Sequence, residues 1–270
     1  MLQTLFTIGS FQLRTINLFQ VIAFVSSAFV FWRRGREEHY SEAKLIDAFL
    51  LSLLFGVAIG RIAFIVFNFS SFGWNILDWL NIVQKPGSQL FFVLIGAVLH
   101  LTVFAQKNKW DQFEILDFCA QVLVVGLLWI NIGYFFEGIR FGLSTELPWG
   151  IVFPGVFEKR HPIQLYYAAF HFIFGKYLTW LEFNYRTFEW YRGGKKTAKT
   201  GFLFISFLLI YSLFSFLLSF LQTPSLVVAD LQLDVWLYLT QFVIGVWLLL
   251  KRSNRALFSF KDLKFFALKK

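Results

Sequence analysis

Residues 45–69 read LIDAFLLSLLFGVAIGRIAFIVFNF, a run of 25 residues with two charges, Asp47 and Arg61. About 20 apolar residues cross the hydrocarbon core of a bilayer as a helix. This run therefore spans a membrane, with length to spare for tilt or for extension past the bilayer. Six further stretches read the same way: 16–32, 88–106, 115–136, 162–183, 201–221 and 233–251. The 88–106 stretch carries Gln89 and His100 inside it. None alternates in polarity as a barrel strand does. The sequence thus predicts an all-α, polytopic membrane protein with about seven transmembrane helices, in a single integral membrane domain over residues 1–270.

Composition agrees. Hydrophobic residues make up 57% of the chain, Phe alone contributes 38, and mean hydropathy is +0.62. With only 15% charged residues the chain lacks the polar surface that a soluble domain needs. The first apolar run begins near Ile16 without a small-residue cleavage site, and reads as a retained span. The lone Cys119 lies in an apolar stretch, so no disulfide framework exists.

The net charge of +9 does not call for nucleic acid, because the basic residues flank the spans. Of 25 Lys and Arg, 18 fall in the loops after the first, third and fifth spans and in the tail. The opposite side holds only Arg14, Lys85, Arg140, Lys159 and Arg160. The positive-inside bias then places the N-terminus outside and the C-terminus in the cytoplasm. The tail 259–270 interleaves Phe and Leu with Lys, as a short amphipathic helix on an anionic leaflet would, or as a disordered segment.

The outer loop 137–161 holds Glu137, Arg140, Glu146, Glu158, Lys159, Arg160 and His161, among glycines and prolines that include Gly138. Long irregular loops in compact proteins are often functional. Pro162 suits the first turn of a helix. His161 then sits at the outer interface, with Gln164 and Tyr166 in the first turns beyond it. The same pattern is compatible with a plain interfacial anchor. Arg61 lies deep in a span, at an insertion cost of ~2.5–3.5 kcal/mol. It needs an acidic partner (Glu137 is nearest by depth), backbone carbonyls, or a bound phosphate gripped by its guanidinium fork. Hydrolase, metal-ligand and nucleotide motifs are absent, and no metal or cofactor is expected.

Several segments carry a resemblance. Residues 160–166, Arg-His-Pro-Ile-Gln-Leu-Tyr, resemble the H-P-x-Q-L-Y-E motif of the prolipoprotein diacylglyceryl transferase family. In the same order, Phe6-Thr7-Ile8-Gly9 resembles its F-x-I-G, and Gly60-Arg61-Ile62 with Phe67-Asn68 its G-R-I-G-Y-x-x-F-Y-N. Leu94-Ile95-Gly96 is similar to the end of H-G-G-L-I-G, and Gly126 through Gly138 to the frame of G-x-G-x-G-R-x-G-N-F-x-N-G. Leu221-Gln222-Thr223-Pro224 resembles F-R-Q-P. The resemblance implies a bacterial cytoplasmic-membrane enzyme that moves a diacylglyceryl group from phosphatidylglycerol to the lipobox cysteine of a prolipoprotein signal peptide. It implies Arg61 and Arg140 at the phosphate and His161 or Glu137 as proton acceptor. Gln164, Tyr166 and Gly138 would orient substrate.

The departures from the family pattern are as specific. Its histidine falls on Phe91, its arginines on Asn131 and near Phe214, an asparagine on Tyr134, a first-span tyrosine near Ile16, and the closing glutamate on Tyr167. Apolar groups neither accept a proton nor pair with phosphate. Arg140 is the candidate stand-in for a lost arginine. An inactive relative that keeps the fold and binds lipid or signal peptide is therefore the alternative. An unrelated transporter is disfavoured, because paired broken helices are missing.

Overall fold

The computed structural model describes residues 3–8, 11–82, 84–185, 198–223 and 227–253. Gly9, the basic residues Arg186, Arg192, Lys195 and Lys196, Pro224 and the predicted amphipathic tail lie outside the described residues. In chain order the elements are β1 (Thr4–Ile8), β2 (Phe11–Arg14), α1 (Thr15–Glu37), α2 (Glu42–Phe67), α3 (Phe69–Phe72), α4 (Ile76–Leu80), α5 (Leu90–Lys107) and α6 (Gln112–Glu137). Then follow β3 (Ile151–Val152), β4 (Lys159–Arg160), α7 (Ile163–Tyr185), α8 (Phe202–Ser219), β5 (Val227–Val228), β6 (Leu231–Gln232) and α9 (Leu233–Ser253). The strands form three separate two-stranded antiparallel ribbons.

Each of the seven predicted spans is a helix of at least 18 residues. Six of them, α1, α2, α5, α6, α8 and α9, are long and apolar enough to cross a membrane. The seventh, α7, has 23 residues, about 34 Å at 1.5 Å per residue. It stands apart from the six because Gln164, His171, Lys176 and Glu182 load it with polarity. Gln164 and His171 are buried, so that polarity faces protein. One boundary needs correction. Gln89 lies outside α5 as its N-cap, and its amide donates to the Gly60 carbonyl at 3.1 Å. His100 remains inside the helix, with Nδ1 2.9 Å from Ser52 Oγ.

The chain forms two compact units, residues 24–123 and residues 1–23 with 124–270. In the first, α2 and α5 pack at close range through small residues. A Cβ at Gly56 would lie 2.5 Å from the Val93 carbonyl oxygen, and one at Gly96 would lie 2.8 Å from Ile59 Cβ. Gly56 and Gly60 are four apart on one face, the spacing that lets membrane helices approach backbone to backbone. Gly56→Val is therefore expected to destabilise this unit by about 1–3 kcal/mol through overpacking. Thermal unfolding in detergent measures it, and an unchanged melting temperature contradicts the close approach.

In the second unit the β1–β2 ribbon is tied to the end of α6. Gln3 Nε2 donates to the Glu137 carbonyl at 2.9 Å, and Arg14 pairs with the Glu137 carboxylate. Phe19 of α1 stacks on Phe136 at 5.5 Å. Between α7 and α8, Phe170 stacks on Phe214 at 3.9 Å, and Ile163, Tyr167 and Leu218 form a buried cluster.

The predicted irregular loop is ordered by backbone pairing. The Gly142 amide donates to the His161 carbonyl at 2.9 Å, and the His161 amide to the Leu143 carbonyl at 3.0 Å. The Leu143 amide donates to the Leu221 carbonyl at 2.8 Å. Residues 142–143 are thus held between the starts of two connections, one entering α7 and one leaving α8.

Candidate active site

The site grows from the C-terminus of α6. The Gly138 amide donates to the Phe135 carbonyl and the Ile139 amide to the Tyr134 carbonyl, at 3.1 and 3.2 Å. This is a Schellman cap, and Gly138 supplies its left-handed residue with φ 75°. The glycine expected to touch substrate thus has an architectural role: it turns the chain out of the helix. Two residues on, Arg140 also adopts a left-handed backbone, φ 60°. That conformation is unfavourable for an arginine, and such strain tends to persist where function requires it.

Gln164 secures this turn. It is buried at the start of α7, and its Nε2 donates to the Ile139 carbonyl at 2.6 Å. Its Oε1 is buried without a partner. The residue next to Arg140 is therefore pinned from α7.

Arg140 sends its guanidinium over the Tyr134 ring, 5.2 Å from the centroid, and engages the Tyr134 hydroxyl. Tyr238 and Asp234 of α9 act on it electrostatically. Enclosure by protein works to lower its pKa. The oxygens of Tyr134, Tyr238 and Asp234 outweigh that effect and the balance is upward, so the cation is retained. The residue is nonetheless exposed by surface area, so these groups flank the guanidinium without sealing it from its surroundings.

Further hydroxyls gather beside it. Tyr211 and Ser215 are one turn apart on α8, and Asp234 and Tyr238 one turn apart on α9, so each pair shares a face. The Tyr167 hydroxyl of α7 accepts from Gln222 Nε2 at 3.1 Å and lies within reach of Ser215 and Tyr238. Tyr211 is within reach of the same two groups. Ser215 Oγ is fully buried beside these hydroxyls without a well-aligned bond to either. Arg140 acts electrostatically on Tyr167, Tyr211 and Tyr238 alike. One guanidinium, four phenols, a serine and a carboxylate thus converge from α6, α7, α8 and α9. A cation ringed by hydroxyls can meet a tetrahedral anion, although the Asp234 carboxylate in the same group offsets part of its charge.

His161 and Tyr166 form a smaller group. His161 Nδ1 lies 3.2 Å from the Tyr166 hydroxyl, which accepts from Trp149 Nε1 at 2.8 Å. His161 is partly accessible, and the adjoining backbone fixes it on both sides. Glu137 is 1% exposed. Its carboxylate pairs with Arg14, not with Arg61, because the β2–α1 junction delivers Arg14 to the end of α6.

Arg61 belongs to the other compact unit. Of the three solutions open to it from sequence, the structure uses carbonyls. Nε donates to Trp79 O at 3.1 Å, and Nη1 to Lys85 O and Gly87 O at 2.8 and 3.0 Å. Nη2 faces Asp78 O and Asn81 O at 3.4 and 3.5 Å. All five N–H groups are directed at backbone carbonyls.

Sequence reasoning counted Tyr134 and Tyr167 as losses, met Gln222 only within the segment resembling F-R-Q-P, and did not single out Tyr211, Ser215, Asp234 or Tyr238. The available signal was polar pairs at one-turn spacing inside apolar helices, costly places for polarity. Phe214 is a packing residue against Phe170 and Tyr167.

Fold and site together define a multi-pass membrane protein with a cationic, hydroxyl-rich site among its helix ends. The chain belongs to the prolipoprotein diacylglyceryl transferase family, whose model matches residues 3–251. It is similar to the phosphatidylglycerol–prolipoprotein diacylglyceryl transferase of Methylobacillus flagellatus, 28% identical over 261 residues, covering 92% of this chain and 95% of that protein. The protein of the same description from Aeromonas hydrophila is 28% identical over 263 residues, covering 92% and 90%. That from Nitratidesulfovibrio vulgaris strain DP4 is 27% identical over 253 residues, covering 90% and 91%.

Proposed function

We propose that this chain transfers a diacylglyceryl group from phosphatidylglycerol to the lipobox cysteine of a prolipoprotein. The reaction would take place at the outer face of the bacterial cytoplasmic membrane, with the N-terminus outside and the C-terminus in the cytoplasm. Family membership supports the reaction class. The observation that carries the site is Arg140, charged and flanked by the phenols of Tyr134 and Tyr238.

In the reaction the cysteine sulfur forms a bond to the glyceryl carbon, and the bond from that carbon to the phosphate oxygen breaks. The departing glycerol phosphate takes the electron pair, and Arg140 steadies the charge that grows on it. Tyr134, Tyr167, Tyr211 and Tyr238 supply neutral hydrogen bonds around the same phosphate. The thiol must lose its proton to become the nucleophile. His161, partly accessible and oriented by Tyr166, is the acceptor. Glu137, sealed and paired with Arg14, serves to anchor the N-terminal ribbon. Gln164 and Gly138 fix the Arg140 turn, and Arg61 holds its own segment.

The test is incubation of the purified chain with phosphatidylglycerol vesicles and a lipobox peptide, followed by mass spectrometry of the peptide. A thioether-linked diacylglyceryl adduct is the expected result. A folded chain that binds peptide or lipid yet forms no adduct overturns the assignment in favour of an inactive relative, the reading motivated by Phe91 and Phe214.

A further inference from the structure

We propose that residues 69–82 are a membrane-dipping element, fixed from below by Arg61, whose partner is the boundary between headgroups and acyl chains of the bilayer. The segment comprises α3, α4 and the turn between them. Its outward face is apolar: Trp74 is 84% exposed, Leu77 77%, Leu80 75% and Ile76 65%. Ser70, Ser71 and Asn75 are exposed as well, while other polar groups are satisfied locally. Trp79 Nε1 donates to Gly73 O at 3.0 Å, Asp78 pairs with Lys85 at 2.8 Å, and the Asn75 side chain caps the Leu77 amide at 3.1 Å. Arg61, 8% exposed, gathers the carbonyls of Asp78, Trp79, Asn81, Lys85 and Gly87, with its Cζ 5.1 Å from the Phe72 ring centroid.

Two features select lipid as the occupant. First, non-helical backbone is tolerated at membrane depth only where its polar groups are satisfied by protein, and the Arg61 clamp with the local caps does that here. Second, the apolar face continues an existing lipid-facing row. Ile62 and Val66 are exposed along the end of α2, a helix long and apolar enough to span, and the row continues through Phe69 of α3, whose ring lies 5.1 Å from that of Trp74, to Ile76 and Leu77. Trp at such a position suits the interfacial belt. A loop in water gains nothing by displaying Trp, Ile and Leu.

Nitroxide labels test this in the full chain with Cys119→Ala, reconstituted in vesicles of phosphatidylethanolamine and phosphatidylglycerol. Labels go on Leu77→Cys and Leu80→Cys, with Lys44→Cys as the aqueous reference. Collision with dissolved oxygen is compared with collision with a water-soluble nickel chelate. Oxygen should dominate at 77 and 80 and the chelate at 44. Chelate dominance at both 77 and 80 overturns the proposal. So does dipolar broadening that disappears on dilution with unlabelled chain, which would make the face a seat for a second copy. Arg61→Lys, with three donors instead of five, should shift the 77 label towards the chelate. No shift in a folded variant removes the clamp from the account. If that variant does not fold, the labels on the Arg61 protein decide alone. None of these outcomes depends on transferase activity.

Discussion

Arg140→Gln is expected to lower diacylglyceryl transfer by ~10²–10³-fold at an unchanged melting temperature, the scale of removing one preorganised donor from an active site. The leaving phosphate gains charge as its bond to the glyceryl carbon breaks. Among the groups gathered from α6, α7, α8 and α9, Arg140 is the cation that meets it, and the others are four phenols, Ser215 and the Asp234 carboxylate. Neutral donors help but do not neutralise. Lysine at 140 keeps the charge without the planar fork, so its rate should fall between wild type and glutamine. Glycine is the sharper control. At φ 60° an L-residue carries roughly 1–2 kcal/mol of strain that glycine escapes. If Arg140 only held the fold through Tyr134 and Asp234, Arg140→Gly would lose stability while the folded protein stayed active. The expected outcome is a folded protein, close to wild type in stability because relief of strain offsets the lost contacts, that has lost transfer. Full activity in Arg140→Gly removes Arg140 from the site.

The same residue marks where sequence stops informing. Helix existence was legible because the requirement for about 20 apolar residues is local. The seven runs and seven long helices coincide for that reason, and they differ mainly at ends such as Gln89, where capping and not hydropathy sets the boundary. Arg140 itself was visible as a basic residue in the outer loop. Its left-handed turn, its hold by Gln164 and most of its company were not, since apart from Tyr134 these depend on contacts 25 to 98 positions away along the chain. Tyr167 and Tyr134 read as losses because the family pattern directs attention to charge, and a phenol's value as a donor appears only when several meet. Segment 69–82 gave no sequence signal at all. Its two helices have 4 and 5 residues, too short for periodicity to register. Its order comes from Arg61, whose three possible solutions differ only in what lies opposite in space.

Arg61→Met follows from that solution. Methionine retains the apolar packing on Phe64 and Phe72 but donates nothing. Three carbonyls, those of Trp79, Lys85 and Gly87, then lose bonds of 2.8 to 3.1 Å. An acceptor left unsatisfied costs about 1–3 kcal/mol, so the lower bound for the three is about 3 kcal/mol. Against a net stability of ~5–15 kcal/mol this is a large fraction. It corresponds to roughly 6–12 °C of melting temperature for a chain of this size. The bonds that remain are local ones, chiefly Lys85 to Asp78 and to the Ser71 carbonyl and Trp79 to Gly73, so protease cleavage within 73–82 should accelerate as well. Thermal unfolding in detergent and limited proteolysis measure both effects. Transfer activity in this variant should fall in proportion to the folded fraction and no further. A scaffold and a phosphate ligand part here. Lost activity at an unchanged melting temperature would return Arg61 to the headgroup, whereas lost stability with activity preserved in the surviving protein places its work in holding five carbonyls together.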